Sequence, residues 1–226
     1  MTKGSAATPD ENAVTTTVRV WDIFVRVFHW TVVVAFFVAY FTEDDLLTLH
    51  VWAGYTIGIL VIMRALWGFV GPKHARFRDF VFGPIKVWTY LVSLVTFRAR
   101  RYLGHSPAGG VMVLALLAGL VATVWTGLEL YAIEDNAGPL ARAPIQNVEL
   151  VQFAPIPPAH ARQGADDEAR RVDGDELWED LHETMADLTL FLVIVHIGGV
   201  VLASLVHREN LVRSMISGYK NAATDA

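Results

Sequence analysis

Cysteine is absent from all 226 residues. That one absence excludes disulfides, thiolate-bound zinc, iron–sulfur clusters, covalently attached c-type haem and cysteine nucleophiles. Any metal or cofactor has to be held by other ligands, and the chain offers eight histidines. Charge is also scarce: 18% of residues are charged, while 54% are hydrophobic and 11% aromatic, and the mean hydropathy is +0.40. Such a composition fits an integral membrane protein of one domain and not a soluble one. The first twenty residues, MTKGSAATPDENAVTTTVRV, lack an apolar core with a cleavage site. They read as a disordered tail and not as a secretory signal. Internal repeats are lacking as well.

Stretches of about 20 mainly apolar residues, the length a bilayer requires, occur four times: roughly 21–41, 46–70, 111–131 and 183–206. A fifth apolar piece, FGPIKVWTYLVSLVTF, is short, opens on Gly-Pro and is followed by RARR. An interfacial helix suits it better than a crossing. The connector between the second and third spans holds Lys73, Arg76, Arg78, Lys86, Arg98, Arg100 and Arg101 against the single acid Asp79. By the positive-inside rule it lies in the cytoplasm, which puts both termini there. The connector 132–181 has eleven acids against four arginines and is expected outside, as a partly ordered periplasmic excursion. The expected architecture is thus an all-α, integral membrane four-helix bundle, with tails at 1–20 and 221–226 and a single domain over 21–220. An even number of spans with cytoplasmic termini implies a multi-pass membrane protein.

Four histidines fall in or beside spans: His29 in the first, His50 in the second, His182 and His196 in the fourth. A lone histidine in a span is most often a helix–helix hydrogen bonder or lines a polar pathway. Their spacing adds a constraint. Fourteen residues turn a helix through about 1400° and raise it about 21 Å, so His182 and His196 share one face at two depths. With the amino terminus inside, His29 matches His196 at the inner level and His50 matches His182 at the outer. Two facing imidazole pairs suit two haems with bis-histidine ligation better than zinc, which takes four ligands. Gly54 and Gly58 follow His50 at i+4 and i+8, and Gly198 and Gly199 follow His196. These glycines either clear room for a flat macrocycle or let helices pack closely in lipid. Arg64 and Arg26 stand at the inner level, either as partners for haem propionates or reaching to lipid phosphates.

The chain resembles the bacterial cytochrome b561 and nickel–iron hydrogenase cytochrome b family of four-helix membrane dihaem proteins. RVFHW around His29, HVWAGYTIGILVIMRALWGFVG from His50, ARFRDF, GHSPAGG and LHETMADLTLFLVIVHIGGVV carry the likeness. The resemblance implies His29, His50, His182 and His196 as axial ligands of two b-type haems. It also implies a membrane electron relay between the quinone pool and a periplasmic hydrogenase, dehydrogenase or c-type cytochrome. Some single-subunit relatives suggest instead a superoxide:ubiquinone oxidoreductase, and the long acidic connector departs from the shortest of these. For quinone the resemblance favours the inner level, where Arg64, His105 and His207 stand; His105 also suits a helix cap and His207 a headgroup anchor. Lipid, quinone and a periplasmic redox protein are the expected partners, with no nucleic acid. A haem-free proton or metal-ion transporter remains the reading of a different class.

Overall fold

The computed structural model describes residues 17–43, 46–141 and 160–222, with side chains described from residue 176 onward in the last stretch. Among these residues the chain forms α1 (Ile23–Tyr40), α2 (Leu47–Val70), α3 (Pro84–Val95), α4 (Pro107–Glu134), α5 (His160–His207) and α6 (Leu211–Ser217). Two 3-10 turns, Lys73–Ala75 and Phe77–Asp79, lead from α2 towards α3.

α1, α3, α4 and α6 begin where the sequence supplies a capping side chain or a first-turn proline. The Asp22 carboxylate accepts from Val25 N at 2.9 Å, and Ser106 Oγ accepts from Gly109 N at 3.1 Å. Pro84 and Pro107 occupy first-turn positions, where a missing N–H costs nothing. Asn210 caps α6 through Arg213 N at 2.7 Å. Gly218, at φ +87°, ends α6 in a left-handed turn that a side chain would strain.

Four helices, Ile23–Tyr40, Leu47–Val70, Pro107–Glu134 and the Glu176–His207 part of α5, are long and apolar enough to cross a bilayer. α3, with 12 residues, rises only about 18 Å, too little to cross a hydrocarbon core of about 30 Å. α4 packs most extensively on α5, α1 on α2, and α2 on α4. The central core is small: Ala35, Phe36, Ile57, Val61 and Leu120, flanked by Leu117, Val124, Leu190 and Val193. Most large apolar side chains point outward, among them Val34, Trp52, Ile62, Leu66, Phe191 and Leu205. In water such a surface is a liability; in lipid it is the solvent-facing side of the bundle. The fold is a membrane helical bundle.

Three boundaries differ from those expected. Residues 17–20 are not a loose tail: Thr17–Arg19 (β1) pairs antiparallel with Tyr219–Asn221 (β2), in the register Thr17↔Asn221, Val18↔Lys220 and Arg19↔Tyr219. The tail set at 221–226 therefore starts inside a strand, and its last four residues lie outside the described ones. Three-residue strands are too short to show a period, and their partners lie about 200 positions apart. The fourth helix starts at His160, well inside the expected 132–181 connector, so the last span is the carboxyl part of a 48-residue helix. Residues 142–159 of that connector, residues 1–16 of the first tail and Asp44–Asp45 of the first turn lie outside the described residues.

Candidate functional site

The fold pairs the four span histidines by depth. His50 near the start of α2 faces His182 on α5 with ring centroids 5.9 Å apart. His29 on α1 faces His196 on α5 at 6.5 Å. The first pair lies at the end of the bundle where α1 turns into α2, here the turn end. The second lies towards the basic connector, here the basic end. A metal bond of about 2 Å to each imidazole nitrogen, plus about 1 Å from each nitrogen to its ring centre, puts centroids about 6 Å apart across one ion. Both pairs meet that spacing. Among the described residues no group of three or more His, Cys, Asp or Glu gathers to hold a metal ion. Two-nitrogen axial ligation therefore fits and a four-ligand protein cage does not.

The surroundings of the turn-end pair are specific. His50 Nδ1 lies 2.9 Å from the Ala39 carbonyl of α1, and His182 Nδ1 lies 3.1 Å from Thr126 Oγ1 of α4. Gly127 makes room for the His182 ring: a Cβ there would sit 2.7 Å from its Cε1. Two turns further along α5, Thr189, fully buried, shares a hydroxyl hydrogen bond of 3.1 Å with Thr123. Gly119 allows that approach, since its Cβ would come within 2.8 Å of Thr189 Oγ1. Gly119, Thr123 and Gly127 thus form a small, polar stripe on which α5 packs, the kind of seam that joins helices in lipid. Tyr40 Oη donates to Asp187 at 3.2 Å and ties α1 to α5. Phe36, Gly54, Tyr131 and both histidines line a cleft, and a Cβ added to Gly54 would meet no atom within 4 Å. The same holds for Gly198 and Gly199 after His196. Open space beside the turn-end pair is what a macrocycle needs.

Two cations behave differently at the basic end. Arg64 is 2% exposed, lies over the Phe77 ring at 5.4 Å, and has an Nη1 without a hydrogen-bond partner. A buried guanidinium donor of this kind suits a carboxylate such as a propionate. Arg26 donates to the Ile216 carbonyl, so it braces the end of α6, while its Nε stays buried without a partner.

His105 packs edge-on to Trp21 at 4.7 Å and against Phe80 at 4.5 Å. Burial, with the Arg64 charge next in weight, pushes its imidazole down to about 3. It stays neutral at ordinary pH, with Nδ1 unpartnered. His105 lines a cavity of about 160 Å³ with Lys73, His74, Asp79 and Tyr102. His207 Nε2 lies 3.4 Å from Tyr90 Oη. Burial raises the Tyr90 phenol above its usual range. Arg64 and His105 thus share one electrostatic neighbourhood, which His207 joins through the Lys220 charge that acts on both histidines.

The family model described as prokaryotic cytochrome b561 matches residues 20–218. The chain belongs to the prokaryotic cytochrome b561 family. This cytochrome b561 is similar to the probable Ni/Fe-hydrogenase B-type cytochrome subunit of Rhizobium leguminosarum bv. viciae, 34% identical over 98 residues. That match covers 40% of this chain and 40% of the relative, less than half of either. No solved structure matches. Membership makes the protein a multi-pass membrane b-type cytochrome of electron transport. The two imidazole pairs and the open space beside the turn-end pair fit the b-type haem that membership implies.

Thr126, Gly127, Thr189 and Tyr90 of this cytochrome b561 were not singled out from sequence. A small-residue period at 119, 123 and 127 was the available signal.

Proposed function

We propose that the protein holds two b-type haems, one between His50 and His182 and one between His29 and His196, and relays electrons between an external redox partner and quinone. The observation that carries this is two imidazole pairs at 5.9 and 6.5 Å, one near each end of the bundle and sharing α5. When bound, each haem supplies a one-electron couple with no open coordination position. The chain's own residues do the rest. His182 and His196, about 21 Å apart along α5, fix the separation of the two sites. The core of Ala35, Phe36, Ile57, Val61 and Leu120 excludes water between them.

The basic connector supports an orientation with the basic end in the cytoplasm and the turn end outside. The likeness to a hydrogenase B-type cytochrome subunit supports a hydrogenase as the external partner, a c-type cytochrome being the other candidate. Quinone is assigned to the basic end. There Arg64 supplies positive charge, and His105, His74 and the His207–Tyr90 pair supply groups that can exchange protons with the cytoplasm.

Quinol reduction of purified protein, followed at the haem bands, tests this reading. Fast reduction is expected to persist in His50→Ala and vanish in His196→Ala. Loss in His50→Ala with survival in His196→Ala moves the quinone site to the turn end. Fast reduction by superoxide without any other subunit instead favours the superoxide:ubiquinone oxidoreductase. Wild-type protein without haem removes both and returns the transporter reading.

A further inference from the structure

The two imidazole pairs are not held alike. At the turn end both Nδ1 atoms have neutral oxygen partners: His50 the Ala39 carbonyl at 2.9 Å, His182 the Thr126 hydroxyl at 3.1 Å. The direction of the second bond follows from the threonine's other contacts. Thr126 Oγ1 is 3.0 Å from the Ala122 carbonyl and 3.0 Å from the Thr123 carbonyl, which can only accept, so its proton points to one of them. A lone pair is left for the His182 ring N–H. Both turn-end rings are therefore fixed with the proton on Nδ1 and Nε2 free to ligate. His29 Nδ1 at the basic end is instead buried with no partner.

Such a bond does more than orient a ring. Donating its N–H to an oxygen makes an imidazole more basic and favours the ferric over the ferrous state of an iron it ligates, lowering the potential. Fixed charges act in the same direction. Asp187 is bonded to Tyr40 beside the turn-end cleft, Glu43 lines that cleft, and Glu183 follows His182 directly. Near the basic end stand the buried Arg64 and the half-buried Arg26, whose charge favours the reduced state.

We propose that Thr126 positions and tunes His182 and, with the Ala39 carbonyl, makes the turn-end haem the lower-potential of the two. An electron delivered at the turn end by the external partner then passes to the basic end. One site is oxidised from ferrous to ferric as the other is reduced from ferric to ferrous, with no proton needed. The proposal rests on the dihaem reading and adds to it a direction and a residue.

The test is a redox titration of the purified haem-loaded protein. His196→Ala, which retains only the turn-end site, is expected to titrate at the lower of the two wild-type midpoints; titration at the higher overturns the proposal. Thr126→Val keeps the shape and removes the hydroxyl. It is expected to raise the lower midpoint alone, shifting the electron distribution between the haems several-fold, where tenfold corresponds to 59 mV for one electron. Thr126→Ser is expected to restore it. Two retained haems with both midpoints unmoved in Thr126→Val, or a shift confined to the higher step, overturns the proposal. An absence of haem in the wild type is a different result and removes the dihaem reading beneath it.

Discussion

At the residue scale, the site depends on glycines where a side chain would either fill the space beside a ligand or press on the ligand itself. Gly54 is the sharpest, because a side chain there meets no protein atom within 4 Å, yet it fills the space beside His50. Gly54→Phe is expected to leave helicity and assembly unchanged while haem per chain falls from two to one, measured by circular dichroism and pyridine haemochrome. Retention of both haems shows that the cleft is not where the macrocycle lies. Gly127→Ala is expected to cost the same haem by a different route, pushing on the His182 ring at 2.7 Å. His105 gives a prediction in pH. Unfolded, its imidazole titrates near the ordinary 6.5, and folded it stays neutral down to about 3. Between those values the unfolded chain binds more protons, so stability is fully present above 6.5 and falls as pH drops, by up to about 1.4 kcal/mol per unit. His105→Gln is expected to flatten the fall seen in detergent melts from pH 7 to 4; an unchanged slope means that the loss comes from other groups.

At the scale of elements, helix length and depth were legible, while contacts between helices were not. Four spans could be read because lipid demands apolar runs of fixed length, and fourteen residues between His182 and His196 give a distance without knowledge of packing. The start of α5 at His160 was hidden because apolar windows mark where a helix enters lipid, not where it begins. Thr126 and Gly127 were hidden for another reason. α4 is apolar around most of its circumference, so sequence does not say which face meets α5. The bond of Arg26 to the Ile216 carbonyl was hidden as well, because it depends on α6 folding back, which no span pattern shows. The basic end is also an assembly of short pieces locked to the bundle. Val20 N and Trp21 N both donate to Gly218 O, at 2.9 and 3.1 Å. Arg101 pairs with Glu209, and Gly110 lies hard against the Phe80 backbone. Gly110→Val is expected to pry α4 from the 77–80 turn at a cost of about 1–3 kcal/mol. Both haems should remain, since neither imidazole pair touches that contact. Loss of a haem there shows that the turn supports a ligand.

At the scale of the whole molecule, charge separates the two ends. Seven basic residues against one acid fill the connector at one end, and eleven acids against four arginines fill the connector at the other. The lack of cysteine makes orientation directly measurable, because a single introduced thiol is then unique. Lys86→Cys is expected to react with a membrane-impermeant maleimide only in inverted vesicles, and Glu179→Cys only in right-side-out cells; the opposite pattern reverses the assignment of donor and quinone sides. The hydrogen-bonded, acid-lined pair at the turn end and the arginine-flanked pair at the basic end give the molecule a built-in polarity. All of this requires that the paired imidazoles carry iron. The most direct measurement is haem content: a pyridine haemochrome and a reduced-minus-oxidised spectrum of purified protein, repeated for His50→Ala and His196→Ala. Two b-type haems per chain in the wild type and one in each variant are predicted, whereas one haem or none in the wild type contradicts the pairing.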